Sequence, residues 1–132
     1  MTQLQLFFGV ATPIALFFGI SITFAPVRWA RLFGWPLPPA GQERRDERNL
    51  TLYFARCLGV TVLAFALIAL RAAFDPRGSR LFLWFGVLMG TGLTLVHIFG
   101  ALRRAQPASE TWEILMYGGM TIWGAFLLAY PS

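Results

Sequence analysis

The stretch Asn49–Phe74, NLTLYFARCLGVTVLAFALIALRAAF, decides how the rest of the chain is read. At about 1.5 Å of rise per residue it is long enough to cross a hydrocarbon core of about 30 Å. It carries one permanent cation, Arg56, whose burial in a bilayer costs roughly 2.5–3.5 kcal/mol on insertion scales. Such a residue needs a partner or a route to water. Three further apolar tracts flank it, so four spans are expected, at about residues 4–24, 50–72, 81–102 and 112–130, with a polar connection over 25–49. The predicted fold is all-α: an integral membrane four-helix up-and-down bundle, with an amphipathic interfacial segment between helices 1 and 2.

Composition supports one polytopic membrane domain over residues 1–132. The chain is 57% hydrophobic and 13% charged, and its charges bunch between the apolar runs. The net charge of +5 comes from arginine alone, placed mostly at the ends of those runs. That pattern suits orientation and headgroup contact and excludes the contiguous basic face of a nucleic-acid binder. A single cysteine, Cys57, excludes an intrachain disulfide and a multi-cysteine metal site. The first span lacks a basic leader and is too long for a signal-peptide core, so it is read as retained. Pro13 within it is expected to bend the helix.

The connection after the first span sets Arg28, Trp29, Arg31 and Trp35 among apolar residues, the composition of a short interfacial helix with its indoles at headgroup depth. Pro36, Pro38, Pro39 and Gly41 then stop any helix. Glu43, Arg44, Arg45, Asp46, Glu47 and Arg48 read as a solvated, self-paired cap on the second span. Arg103 and Arg104 end the third span, and Ser109 with Glu113 gives an N-cap and acidic first turn for the fourth. The loops after spans one and three hold Arg28, Arg31, Arg44, Arg45, Arg48, Arg103 and Arg104, against Arg71, Arg77 and Arg80 on the other side. This bias predicts both termini outside and the long loop in the cytoplasm; the expected location is a bacterial inner membrane, with both termini on the periplasmic side.

Counting by depth places Arg56, His97 and Glu113 in one polar intramembrane layer about 5–10 Å below the cytoplasmic boundary, with Glu110 nearer the surface. Gly59, Gly86 and Gly90 mark faces where helices approach closely, Gly86 and Gly90 at a GxxxG spacing through which a homo-oligomer could form. Within the layer, Arg56 either snorkels or pairs with Glu113, while His97 bonds a carbonyl or Thr94. Alternatively the three line a proton-relay or substrate pocket, or His97 ligates a pigment. One histidine rules out a bis-histidine haem within the chain; a chlorophyll-type pigment needs one ligand, and bound lipid is expected. No phosphate loop, metal-spaced Cys/His set, nucleophile elbow or Ser-His-Asp set is present, so neither catalytic residues nor a metal is predicted.

The segment Ala55-Arg56-Cys57-Leu58-Gly59, Arg71 near the end of the same helix, a short turn, and a third helix with His97 near its end resemble the ergosterol-biosynthesis scaffold family over residues 55–100. Where that family carries an acidic residue a turn after the histidine, this chain has Ala101. The overall plan is also similar to the DoxX-like group of small four-helix bacterial membrane proteins. Both resemblances imply a protein that is not an enzyme, and the small, glycine-rich chain with short outer loops and no reactive constellation leads to the expectation of a non-enzymatic accessory or scaffold subunit of a larger membrane-protein complex. The alternative is a ligand-handling protein: a pigment- or haem-contacting subunit of a photosynthetic or respiratory complex through His97, or a small transporter or enzyme with a pocket at Arg56, His97 and Glu113.

Overall fold

The computed structural model describes residues 1–39, 41 and 44–130. Among these the chain is helical and has no strand. The elements are α1 (Gln3–Phe24), α2 (Pro26–Leu32), α3 (Arg45–Phe74), α4 (Arg80–Leu102), α5 (Ala108–Thr111) and α6 (Glu113–Ala129). α5 and α6 form one helical run interrupted at Trp112. α1, α3, α4 and the run Ala108–Ala129 are each long and apolar enough to cross a membrane.

α1 starts on a capping box: the Thr2 hydroxyl accepts from Gln5 N at 3.2 Å, and Gln5 Oε1 accepts from Thr2 N at 2.8 Å. The arrangement satisfies two otherwise orphaned donors. The helix continues through Pro13, which lies on its exposed side. α3 begins at Arg45, five positions before the expected span. Asp46 and Glu47 in its first turn complement the helix dipole. The expected self-paired cap is not formed among the described residues. Glu43 lies outside them, Asp46 and Glu47 are exposed without an ion pair, and Arg48 Nη1 donates to Pro38 O at 2.8 Å.

The helices pack as two pairs, α1 with α3 and α4 with α6. Each seam runs on small residues. A Cβ on Gly19 would meet Leu63 at 2.8 Å, and one on Gly59 would meet the Thr23 backbone nitrogen of α1 at 2.6 Å. Ala66 and Ala69 are wholly buried in the same seam. In the second pair Gly90 sits against Thr121 and Gly124 against Val87. Small residues let backbones approach closely, which drives association where lipid and side chain are equally apolar.

At the end carrying the termini the pairs close on one core of Phe7, Phe8, Ala69, Ala72, Leu83, Val87, Leu127 and Leu128. Phe7 meets Trp123 edge-on with centroids 5.3 Å apart. Toward the other end, which carries α2 and the long loop, the pairs part. The backbones of α3 and α4 stay away from each other along their length, and these helices meet through the rings of Phe65, Phe82 and Phe85, on the side nearer the termini.

Two Schellman turns shape the loop end. After α2, Trp35 N donates to Ala30 O at 2.8 Å and Gly34 N to Arg31 O at 3.2 Å, with Gly34 at φ 78°. After α4, Ala105 N donates to Gly100 O at 2.9 Å and Arg104 N to Ala101 O at 3.1 Å, with Arg104 at φ 51°. Glycine takes this conformation freely, whereas an L side chain costs roughly 1–2 kcal/mol there. Arg104→Gly is therefore expected to stabilise the protein by about 1 kcal/mol. Chemical denaturation in detergent checks it; a loss of stability would show that the arginine side chain matters more than its backbone strain.

The tight turn between α3 and α4 is held by Asp75. Its carboxylate accepts from Arg71 Nη2 and Arg77 Nε, each at 3.0 Å, and from Arg77 N at 3.1 Å. The two guanidinium bonds, Arg77 first, hold its pKa down at about 2, below the ordinary 3.8. A depressed carboxylate contributes stability that is complete above its unfolded pKa and is lost as pH falls through the folded value. The stability difference between wild type and Asp75→Asn should thus be constant at pH 5 and above and shrink between about pH 4 and 2. Thermal unfolding over that range measures it.

Candidate functional site: a His-Glu-Glu cluster at the end of an apolar cavity

Between the parted helix pairs lies a cavity of about 600 Å³. Its walls are almost entirely apolar: Phe7, Ile14 and Phe18 from α1, Leu58 and Ile68 from α3, Phe85 and Met89 from α4. Leu58, Ile68 and Phe85 line the space yet are half-exposed to the outside. The cavity is therefore reached sideways, from the layer that acyl chains would occupy.

Its polar end is at the loop end of the molecule. α6 contributes Glu113 and Tyr117, α5 contributes Glu110, and α2 contributes Trp29. His97, on the last two turns of α4, stands between the two carboxylates. Its Nδ1 is 3.8 Å from Glu110 Oε2, and its Nε2 is 3.6 Å from Glu113 Oε2. Both separations exceed a direct hydrogen bond. The imidazole stacks on the Tyr117 ring at 5.3 Å and 24°, which fixes its plane. Glu110 and Glu113 are 3% and 7% exposed.

The second Glu110 oxygen, Oε1, accepts from Trp35 Nε1 at 2.7 Å. The turn at Gly34 aims that indole inward, and the Ser109 hydroxyl, donating to Phe33 O, ties the same turn to α5. Three buried polar atoms of the site, His97 Nδ1, Glu113 Oε1 and Trp29 Nε1, have no partner among the described residues. Unpaired groups at such depth usually cost about 1–3 kcal/mol each and cluster where something else binds.

The structure thus brings together His97, Glu113 and Glu110, and leaves Arg56 out. Arg56 is exposed and makes no ion pair among the described residues. The reason is helix length: α1 ends at Phe24, beside Gly59, so α3 has no α1 to pack on at Arg56. The Arg56–Glu113 pair is accordingly absent, and the pocket contains Glu110 where Arg56 was expected. Glu110, expected nearer the surface, is the most buried of the acidic residues.

Trp35 and Trp29 are corrected as well. Both indoles turn toward the site instead of sitting as headgroup anchors: Trp35 because the Schellman turn folds the segment back over α5, and Trp29 because it shares the inward face of α2 with the buried Pro26 and Ala30. Arg28, Arg31, Arg103 and Arg104 are exposed as an interfacial role requires, Arg103 lying over the Phe99 ring at 5.3 Å. Ser109 is inside α5 and bonds across to Phe33, so it does not cap the fourth span. Gly59 and Gly90 sit in helix seams. Gly86 does not: it faces the cavity, where a Cβ would lie 3.7 Å from the Phe65 ring. Gly90, already covered by α6, is used inside the chain rather than offered to a second copy. Thr94 bonds Gly90 O at 2.7 Å and leaves His97 to the carboxylates. Comparison with known protein families, characterised proteins and solved structures gives no match to this chain.

Proposed function

We infer that this protein binds an amphipathic, lipid-like molecule within the membrane. The apolar chain occupies the cavity between the helix pairs, and a neutral, oxygen-bearing head lies against the loop-end cluster. One observation carries the reading: an apolar cavity of about 600 Å³, open toward lipid, that ends at two buried carboxylates and an unpaired indole N–H. Ligand sites have this make-up, a mostly apolar wall with a few convergent polar groups. Trp29 Nε1 supplies a donor for a hydroxyl or carbonyl oxygen, and the carboxylates disfavour an anionic head. The arginine bias puts this polar end on the cytoplasmic side of a bacterial inner membrane.

The ligand-handling reading stands ahead of the accessory or scaffold role, because a packing subunit has no use for two buried carboxylates, one of them with an unpartnered oxygen, at the end of an open cavity. It also replaces a pigment on His97: both ring nitrogens face a carboxylate oxygen, so neither is directed into the open space.

Gly86→Leu tests it. The new side chain projects into the cavity and meets only the Phe65 ring. Wild-type protein purified in mild detergent should retain a lipid-like molecule detectable by mass spectrometry, and Gly86→Leu should retain about tenfold less, the effect of roughly 1.4 kcal/mol in affinity. Equal retention by the two proteins would end this reading.

A further inference from the structure

We propose that His97, Glu110 and Glu113 form a binding site for one divalent transition-metal ion of the Mn²⁺, Fe²⁺ or Zn²⁺ class. The proposal goes beyond the cavity and does not depend on what fills it. One ring nitrogen and one oxygen from each carboxylate lie within 4.8 Å of one another. Around an ion with bonds near 2.1 Å, ligand atoms stand about 3.0–3.5 Å apart, so side-chain shifts of about 1 Å complete the set.

Charge argues in the same direction. Two carboxylates are buried here, the chain brings one ionisable cation to them, and a protonated His97 could supply a single positive charge. Among the described residues no arginine pairs with either glutamate. A divalent ion bound to neutral imidazole balances both carboxylates and leaves no net charge in a low-dielectric layer, where unbalanced charge is expensive. Independent of the cluster's composition, Glu113 Oε1 and His97 Nδ1 are buried without partners. A metal site also requires outer partners that orient its ligands, and these are present: Trp35 Nε1 holds Glu110 Oε1, and Tyr117 stacks on the His97 ring. One imidazole with two carboxylates suits the middle of the first transition row better than Mg²⁺ or Ca²⁺, which prefer all-oxygen shells. Three protein ligands leave a position free on the cavity side.

Cobalt(II) is the probe. Full-length protein in detergent, stripped with chelator and titrated anaerobically with Co²⁺, should take up about one ion per chain and develop visible d–d absorption, as expected of a three-ligand site with an open position. Trp35→Phe should weaken binding about 10-fold, within the range of outer-shell changes, and Glu113→Gln, which preserves shape, and His97→Ala, which remove a ligand, should each weaken it by at least about 100-fold, the top of that range. Glu47→Gln, on the exposed start of α3, should bind as wild type does. Wild type that develops no absorption, or that binds Co²⁺ no better than Glu113→Gln, overturns the proposal. The first readout uses wild type alone and is independent of how any variant folds; for Glu113→Gln, a circular dichroism spectrum and melting temperature no lower than those of wild type show that weaker binding is loss of a ligand and not of the fold. Gly86→Leu should lose lipid and keep the ion, which separates failure of this site from failure of the cavity reading.

Discussion

Gly59→Leu is expected to destabilise the protein by about 3 kcal/mol or more, the upper range of overpacking effects. The expectation rests on what the new side chain would strike. A Cβ at Gly59 falls 2.6 Å from the backbone nitrogen of Thr23 and 3.0 Å from its Cα. Backbone cannot rotate away as a side chain can, so α1 and α3 must separate. That separation opens the seam in which Ala66, Ala69 and Ala72 are buried, and loses close packing along the whole pair. The control is the same substitution at Gly86, where the added atoms enter open space. There leucine should leave stability unchanged or raise it by up to about 1 kcal/mol through helix propensity. Unfolding of both variants by denaturant, followed by circular dichroism, provides the comparison. If Gly59→Leu unfolds where wild type does, the α1–α3 seam is not the close approach described.

The contrast between these two glycines also marks where the sequence stops being informative. Hydropathy and length place all four spans, because each must satisfy its own backbone in lipid and cover the same thickness. The glycines at helical spacing flag close approach, yet spacing alone cannot say whether the approaching surface is a helix, as at Gly59 and Gly90, or a cavity, as at Gly86. Depth along a helix found His97 and Glu113. It failed for Arg56 because depth is measured along one helix, whereas burial depends on where the neighbour ends, and α1 ends at Phe24. Trp29 and Trp35 have the composition of interfacial anchors; Trp29 is turned inward by the α2 face it shares with Pro26 and Ala30, and Trp35 by a turn that depends on Gly34 in the left-handed region, which could have been suspected from a glycine just after a short helix. Its counterpart at Arg104 has no such signal. What depth could not give is that Glu110 converges on the same point as His97 and Glu113: the three side chains come from α4, α5 and α6, and the spacing between Glu110 and Glu113 resembles an acidic first turn.

Glu113→Leu should stabilise the metal-free protein by about 1–3 kcal/mol, the usual cost of a buried polar group left without a partner. The sign follows from its surroundings. Glu113 is 7% exposed, one oxygen has no partner, and the other stands 3.6 Å from His97, too far for a direct hydrogen bond. The carboxylate therefore gives up its hydration for little return, while Met116, one turn along α6, lines the same apolar cavity and offers a leucine an apolar surrounding. A residue that weakens the fold it sits in is retained for something other than folding. The measurement is thermal unfolding of chelator-treated wild type and Glu113→Leu, together with Co²⁺ uptake by each. A higher melting temperature with loss of Co²⁺ uptake is the expected outcome. A lower melting temperature would mean that Glu113 makes a structural bond stronger than its geometry indicates, and the cluster would then be part of the scaffold that holds α4 to α6.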